Sequence, residues 1–232
     1  MKSIKLTFLL AIIASFTFIS CENEPLTGTF TDETGVVGGG GDGTSTGDYF
    51  PRAVGNKWEH TVSTGGSTVF EIINTSSIGG FTYYNFPDDN GFGAIRKSSA
   101  SYFTRIAVNI TSPAYIITGT PIEVKFLQDD ATIGTSWENP VTTVYTYVPV
   151  GGSPAIADTT VNTNYKYTLE EKDISREVNG QVYENVIHVS HILETGLGTP
   201  DTIGDYYYAK DIGIIEYTLD GTTYKITSYT LN

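Results

Sequence analysis

Apolar and polar residues alternate with a period of two along most of the chain that follows residue 48. A run that begins at Tyr102 and continues through Thr104, Ile106, Val108 and Ile110 places these side chains on one face, because successive side chains of a β-strand point to opposite faces. After the first twenty residues, no stretch of ten or more positions shows the 3.6-residue apolar period of a helix. The pattern therefore predicts an all-β protein.

Two-residue turn signals divide the alternating runs into hairpins. Gly65-Gly66, Asn179-Gly180 and Asp220-Gly221 each lie between two such runs, and these residue types accept the positive φ angles of tight hairpin turns. Residues 49–232 have the length of one domain with a sizeable core. We expect an antiparallel meander of about 10–12 strands that curls into an open or half barrel, with a β-sandwich as the alternative.

The first twenty residues have the organisation of an export signal. Two lysines precede the apolar run Leu6–Ile19, which is shorter than the roughly 20 residues that a spanning helix needs. Phe18-Ile19-Ser20-Cys21 resembles the lipobox of bacterial lipoproteins, and Cys21 is the only cysteine. We expect residues 1–20 to be removed and Cys21 to carry the lipid that attaches the protein to a membrane.

Residues 21–48 have the composition of a flexible tether. They are rich in Gly, Thr and Asp and include the run Gly38–Gly41. A Gly-rich chain of this length spans on the order of 30 Å on average. Without Lys2 and Lys5, the chain carries 11 basic and 26 acidic residues, a net charge of −15. Such a charge repels phosphate backbones, so a nucleic-acid partner is not expected.

Three short segments carry a family resemblance. Tyr49–Trp58 (YFPRAVGNKW), Tyr183–Ile187 (YENVI) and Tyr206–Ile215 (YYYAKDIGII) are similar to segments of Bacteroidota envelope lipoproteins of uncharacterised type. The resemblance implies an outer-membrane lipoprotein that faces the cell surface or the periplasm. Some such proteins look like the curved half-barrels of lipoprotein carriers, which have an apolar concave face.

The three histidines do not form a recognisable metal site. His188 and His191 are three residues apart in a predicted strand and so face opposite ways. His60 and His191 share their faces with apolar residues, which favours packed, hydrogen-bonded histidines.

The acidic residues likewise lack a catalytic or metal-binding pattern. Asp129-Asp130 and Glu170-Glu171 are adjacent pairs, and in strands their side chains would face opposite ways and make poor acid/base partners. The loop Asp88–Gly91 lacks the ligand spacing of an EF-hand and is explained by a turn led by Pro87. Since no nucleophile elbow or phosphate-binding loop is present either, we expect no cofactor and no enzymatic activity.

Aromatic residues are the one surplus, with 16 Tyr, 11 Phe and 2 Trp. Tyr145 and Tyr147 share a strand face, and the run Tyr206, Tyr207 and Tyr208 must present rings to both faces. These five tyrosines are candidates for a glycan-stacking platform or for the lining of a lipid groove. Ordinary cross-strand aromatic pairing is the alternative.

Two threonines are candidates for modification. Thr159 and Thr202 each follow an aspartate, in triplets that resemble the O-glycosylation sites of Bacteroidota proteins.

Three functional hypotheses remain open. The first is a non-catalytic, membrane-anchored lipoprotein that binds or scaffolds a ligand, for example an apolar one in a curved sheet. The second is a surface module that binds glycans or mediates adhesion, and the third is a hydrolase. A large apolar concavity favours the first, an exposed aromatic row favours the second, and a cleft with a histidine and a carboxylate, or with two carboxylates, favours the third.

Overall fold

The computed structural model describes residues 44–87, 93–195 and 201–232. The export signal, Cys21, most of the predicted tether and the acidic loop Asp88–Gly91 lie outside these residues. Within the described ranges, no helix has the length and apolarity needed to cross a bilayer.

The described residues form a single antiparallel sheet and contain no helix, as the alternation predicts. The sheet has thirteen strands in the order β2-β1-β13-β12-β11-β10-β9-β8-β7-β6-β5-β4-β3. It remains open, so the half-barrel prediction is confirmed and the sandwich alternative is not. The strands are β1 (Lys57–Val62), β2 (Ser67–Glu71), β3 (Asn74–Ile78), β4 (Phe81–Asn85), β5 (Ala94–Ser98), β6 (Ser101–Thr111), β7 (Tyr115–Gln128), β8 (Ser136–Pro149), β9 (Thr159–Val178), β10 (Gln181–Glu194), β11 (Thr202–Ala209), β12 (Gly213–Leu219) and β13 (Thr222–Thr230).

All three hairpins predicted from the turn residues are present. Asn179 and Gly180 have φ angles of 50° and 81° between β9 and β10, and Asp220 and Gly221 have 47° and 79° between β12 and β13. Two successive positive φ angles are the geometry of a type I′ turn, whose twist matches that of the flanking strands.

Contacts across the interior show that the sheet is strongly curled. Phe126 on β7 and Tyr208 on β11 lie four strand positions apart, which in a flat sheet corresponds to about 19 Å. Their ring centroids are only 6.1 Å apart. At the two edges, β2 and β3 are separated in sequence by only Ile72 and Ile73, so the edges come close together at this corner.

Phe50 fills the interior at one end of the curled sheet. Its side chain is fully buried, and its ring lies 5.1 Å from Trp58, 6.1 Å from Phe86, 6.1 Å from Phe126 and 6.3 Å from Tyr208. Because these partners come from β1, the end of β4, β7 and β11, one side chain ties together distant parts of the sheet. We call this the filled end.

Two of the family-like segments meet at the filled end. The indole N–H of Trp58 donates to the carbonyl of Ile212 at 2.6 Å. Gly213 has a φ of 111°, and a Cβ there would lie 2.8 Å from the indole nitrogen of Trp58. Trp58 and Gly213 of these segments are therefore packing residues of the filled end.

The last residues of the predicted tether are held at the same end by a buried carboxylate. The Asp129 side chain is completely buried and forms an ion pair with Lys97 at 3.0 Å. It also accepts hydrogen bonds from the Ser45 hydroxyl at 2.7 Å, the Thr46 amide at 3.0 Å and the Tyr102 hydroxyl at 3.1 Å. The chain thus joins the domain at the filled end.

The sheet has a seam between β7 and β8. Backbone pairing joins Tyr115–Gly119 to Tyr145–Pro149 but does not continue along the two strands. Pro121 lies two residues beyond the paired part of β7, and Pro140 lies five residues before the paired part of β8. Neither proline has the N–H that a ladder requires. Instead, the Asn139 side chain accepts from the Lys125 amide at 3.0 Å and donates to its carbonyl at 3.1 Å.

Candidate functional site

The inner face of the curled sheet, which carries Phe126 and Tyr208, is filled at one end and open at the other. Near the filled end, the inner side chains of Leu169 and Val189 are fully buried. Further along the same strands, toward the loops β8–β9 and β10–β11, Tyr165 and Leu193 are partly exposed although they lie on the same face. We call this region the open end. It is lined by apolar side chains with access to solvent.

A row of aromatic rings crosses the inner face between the filled end and the open end. It contains one residue from each of six consecutive strands, β8 to β13, and we call it the aromatic ladder. Successive ring centroids are 5.9, 4.6, 6.1, 5.9 and 4.2 Å apart along the series Trp137, Tyr167, His191, Tyr206, Tyr217 and Tyr224.

Most rings of the ladder lie face to face. The interplanar angle is 16° for Trp137 and Tyr167, and 4° for Tyr217 and Tyr224. Stacking on a sugar requires an uncovered ring face, whereas here neighbouring rings cover one another. The arrangement therefore resembles the cross-strand pairing alternative and leaves mainly ring edges and hydroxyl groups for a ligand.

The tyrosine hydroxyls of this region are neutral groups. Burial raises the pKa of Tyr165 to about 12, and it raises the pKa values of Tyr167, Tyr206 and Tyr217 as well. The described residues provide no hydrogen-bond partner for these four hydroxyls. They can donate to or accept from an uncharged polar group.

His191 occupies the centre of the ladder as a buried neutral imidazole. It is 7% exposed, and it stacks on Tyr167 at 4.6 Å and on Tyr165 at 6.0 Å. Burial lowers its pKa to about 4. Neither ring nitrogen has a hydrogen-bond partner among the described residues, so His191 is packed as predicted, but the predicted hydrogen bonding is wrong.

His60 agrees with the prediction of a packed, hydrogen-bonded histidine. It is fully buried, and its Nε2 donates to the carbonyl of Ile214 at 3.0 Å. Its ring lies 5.7 Å from Tyr217 and 5.3 Å from Phe70, so it extends the aromatic row onto β1 and β2.

Gly204 leaves space for the ring of Tyr206, the tilted member of the aromatic ladder. It lies directly opposite His191 in the β10–β11 register. A Cβ at Gly204 would lie 3.0 Å from Cε2 of Tyr206, so the Tyr206 ring fills the space that a side chain would otherwise occupy. This ring is inclined by 54° to His191 and is partly exposed, and it covers His191 from the β11 side.

The sequence candidates are distributed over both faces. Tyr206 and Tyr208 point inward and stack on each other at 6.3 Å, whereas Tyr207 points outward, as the alternation predicts. Tyr145 and Tyr147 share the inner face beyond the ladder, and Tyr145 is partly exposed.

The two threonine candidates each begin a strand at the open end. Thr159 is the first residue of β9 and is exposed, and Thr202 is the first residue of β11 and is partly exposed.

The outer face carries a polar cluster around His188. Its Nδ1 lies 3.2 Å from Glu171 and its Nε2 lies 2.9 Å from Asp205. Its ring stacks on Tyr207 at 4.2 Å, and the guanidinium of Arg176 lies 3.3 Å from the centre of the Tyr207 ring. Because carboxylates engage both ring nitrogens, neither is free to accept a proton from a nucleophile. His188 and His191 do face opposite ways, as predicted.

The prediction that Glu170 and Glu171 face opposite ways is wrong. The β9–β10 register passes from Glu171 opposite His188 to Leu169 opposite Val189, so Glu170 is the extra residue of a β-bulge. Both glutamates reach the outer face, where Glu170 accepts from the Ser190 hydroxyl at 2.5 Å. The described residues contain no group of three or more His, Cys, Asp or Glu side chains suited to a metal ion.

Most of the ladder was missed by the sequence analysis, although part of it could have been found. Tyr217 and Tyr224 are equidistant from the Asp220-Gly221 turn, and a two-residue turn makes such residues cross-strand partners. The unpaired nitrogens of His191, in contrast, depend on contacts from β9 and β11 together.

Comparison with known proteins adds little beyond this geometry. No protein-family profile and no curated protein matches the chain significantly. Among solved structures, the chain is similar to the crystal structure of a presumed exported protein with a YmcC-like fold from Bacteroides fragilis. The TM-score is 0.42 and the identity 10%, over 80% of this chain and 100% of that one.

Proposed function

We propose that this chain is an exported, membrane-anchored envelope lipoprotein that binds an apolar ligand at the open end of its half-barrel and catalyses no reaction. The observation that supports the binding role is the change in side-chain burial along the inner face. The same strands that bury Leu169 and Val189 completely leave Tyr165 and Leu193 partly exposed. An apolar surface inside a curved sheet is suited to an apolar ligand, because its burial removes apolar area from water.

The anchor rests on Cys21 and on the resemblance to Bacteroidota lipoproteins. In the cell of origin, Cys21→Ser should abolish incorporation of an alkyne-labelled fatty acid and move the protein from the membrane to the soluble fraction. Continued membrane fractionation of this variant would contradict the anchor. Protease treatment of intact cells would distinguish a surface location from a periplasmic one.

The binding role is tested with pyrene, an apolar fluorescent probe whose emission reports the polarity around it. The mature chain carrying Cys21→Ser is used, so that no attached lipid requires detergent. We expect saturable binding, weakened at least about tenfold by Leu219→Glu, because this inner residue lies opposite Gly204 and a carboxylate there would be desolvated by the probe.

Ile203→Glu is the matched control. Ile203 neighbours Gly204 in sequence and is 59% exposed on the outer face, so this variant should bind pyrene within about twofold of the parent chain. Thermal unfolding of both variants confirms that they fold. An equal loss of pyrene affinity in the two variants would contradict an inner-face site. The absence of saturable pyrene binding by the parent chain would contradict it as well.

The outer cluster argues against a hydrolase for a specific reason. His188 is the only histidine of the described residues that contacts carboxylates, and both of its nitrogens are engaged. Glycan stacking is disfavoured because the ladder rings cover one another's faces.

A further inference from the structure

We propose that His191 recognises an uncharged polar group, a hydroxyl or a carbonyl, on the apolar ligand. The inference rests on the proposed binding role and names the chemical class of its ligand. It starts from the two ring nitrogens of His191, which are buried and have no partner among the described residues. An imidazole in this state is costly, and a ligand that supplies the missing partner would bind more tightly for that reason.

The surroundings of His191 show where a ligand could reach it. Tyr165 and Tyr167, both on β9, lie nearly parallel to the imidazole, at 9° and 13°, and cover it from the β9 side. Tyr206 instead leans over from the space left by Gly204. Since Tyr206 is partly exposed and its hydroxyl is not held by the described residues, rotation of this one side chain would uncover the edge of the imidazole toward the open end.

The charges nearby determine which ligands fit. The charged side chain that acts on both His191 and Tyr206 is Asp220, an acid at the β12–β13 turn. On the neighbouring strand β9, Lys166 is engaged on the outer face by Glu194 at 2.8 Å. Among the described residues, Asp220 is the one charged side chain that acts on His191, so an anionic head group there would meet an acid. A hydroxyl or carbonyl would instead meet a neutral imidazole that can donate from one nitrogen and accept at the other.

The ligand class thus has an apolar body and one or more uncharged polar groups, as in an acylglycerol or a long-chain alcohol. Three probes separate the contributions: pyrene supplies the body alone, 1-pyrenemethanol adds a hydroxyl, and 1-pyrenecarboxylate adds a charge. For the mature chain carrying Cys21→Ser, we expect the alcohol to bind about five to ten times more tightly than pyrene, as one added hydrogen bond provides. The carboxylate should bind more weakly than the alcohol.

His191→Phe keeps an aromatic ring in the stack and removes both nitrogens. It should abolish the preference for the alcohol and change pyrene affinity by less than about twofold. His60→Phe is the matched control, because His60 is fully buried and belongs to the same aromatic row, but only its Nδ1 lacks a partner among the described residues while its Nε2 already donates to Ile214. This variant should keep the preference for the alcohol.

An NMR titration of the chain that keeps all three histidines provides a second test, which does not depend on the stability of a histidine variant. The chain has three histidines, and 1-pyrenemethanol should shift the ring nitrogens of His191 while those of His60 and His188 change little. Binding of pyrene without a preference for the alcohol, or a preference that His191→Phe retains, would overturn the inference and leave the binding role intact. If none of the three probes binds, the binding role itself is wrong.

Discussion

Acid should destabilise this domain through its two buried histidines well before most carboxylates titrate. Burial lowers the pKa values of His60 and His191 to about 4, from 6.5 for an exposed histidine. Between these values the unfolded chain binds two protons that the folded chain does not bind. The stability that both neutral imidazoles contribute is therefore fully present above pH 6.5 and is lost as the pH falls toward 4.

The expected loss is large on the scale of a single domain. At pH 5, each histidine should lower the free energy of unfolding by about 2 kcal/mol relative to pH 7.5, and each by about 3 kcal/mol near pH 4. A typical domain has a total stability of about 5–15 kcal/mol. Urea unfolding followed by tryptophan fluorescence at several values between pH 7.5 and pH 5 measures the change directly.

Two substitutions assign the effect to its source. His191→Phe and His60→Phe should each remove about half of the pH dependence in this range, since each eliminates one of the two groups with a lowered pKa. At neutral pH, His191→Phe should unfold at a urea concentration equal to or above that of the parent, because it also removes two unpaired buried nitrogens. A pH dependence that survives in the double variant would refute the assignment to these histidines.

Three further substitutions, with Phe81→Ala as a control, test the architecture. Phe50→Ala should lower the free energy of unfolding by about 3–5 kcal/mol, because it leaves a cavity among four rings. Phe81→Ala removes a side chain that is 51% exposed, and in the same urea experiment it should lower the free energy of unfolding by less than about half as much. Lys97→Met should cost about 3–5 kcal/mol, because Asp129 would remain buried without its cation, and a smaller effect than that of Phe81→Ala would show that the ion pair is not needed. Asn139→Ala should speed hydrogen exchange at amides along the seam and leave the exchange of the β9–β10 ladder unchanged, and uniform acceleration across the sheet would instead indicate global destabilisation.

The strand pattern and its turns could be predicted because both depend on local geometry. Side-chain parity placed Tyr206 and Tyr207 on opposite faces, and Asn179-Gly180 marked its hairpin through positive φ angles. Parity failed at Glu170, since one extra residue in a strand reverses the alternation and the sequence around it carries no signal for a bulge.

The candidate site was only partly visible for a different reason. The sequence assigned Tyr145 and Tyr206 to a strand face. It did not show that this face is enclosed, because the enclosure results from the curl of the sheet. The significance of His191 depends on rings from β9 and β11 and on the absence of a side chain at Gly204. These contacts join residues that no local pattern relates.

The amino-acid sequence by itself determined the all-β class, the hairpins and the inward or outward direction of most side chains, because these follow from the two-residue period of a strand and from turn conformation. The tertiary structure alone decided that one end is filled by Phe50 and the other is open. It also decided that the tether residues Ser45 and Thr46 bind Asp129 and that His191 lacks partners. These features arise from the curl of the sheet, which brings together strands that are distant in sequence.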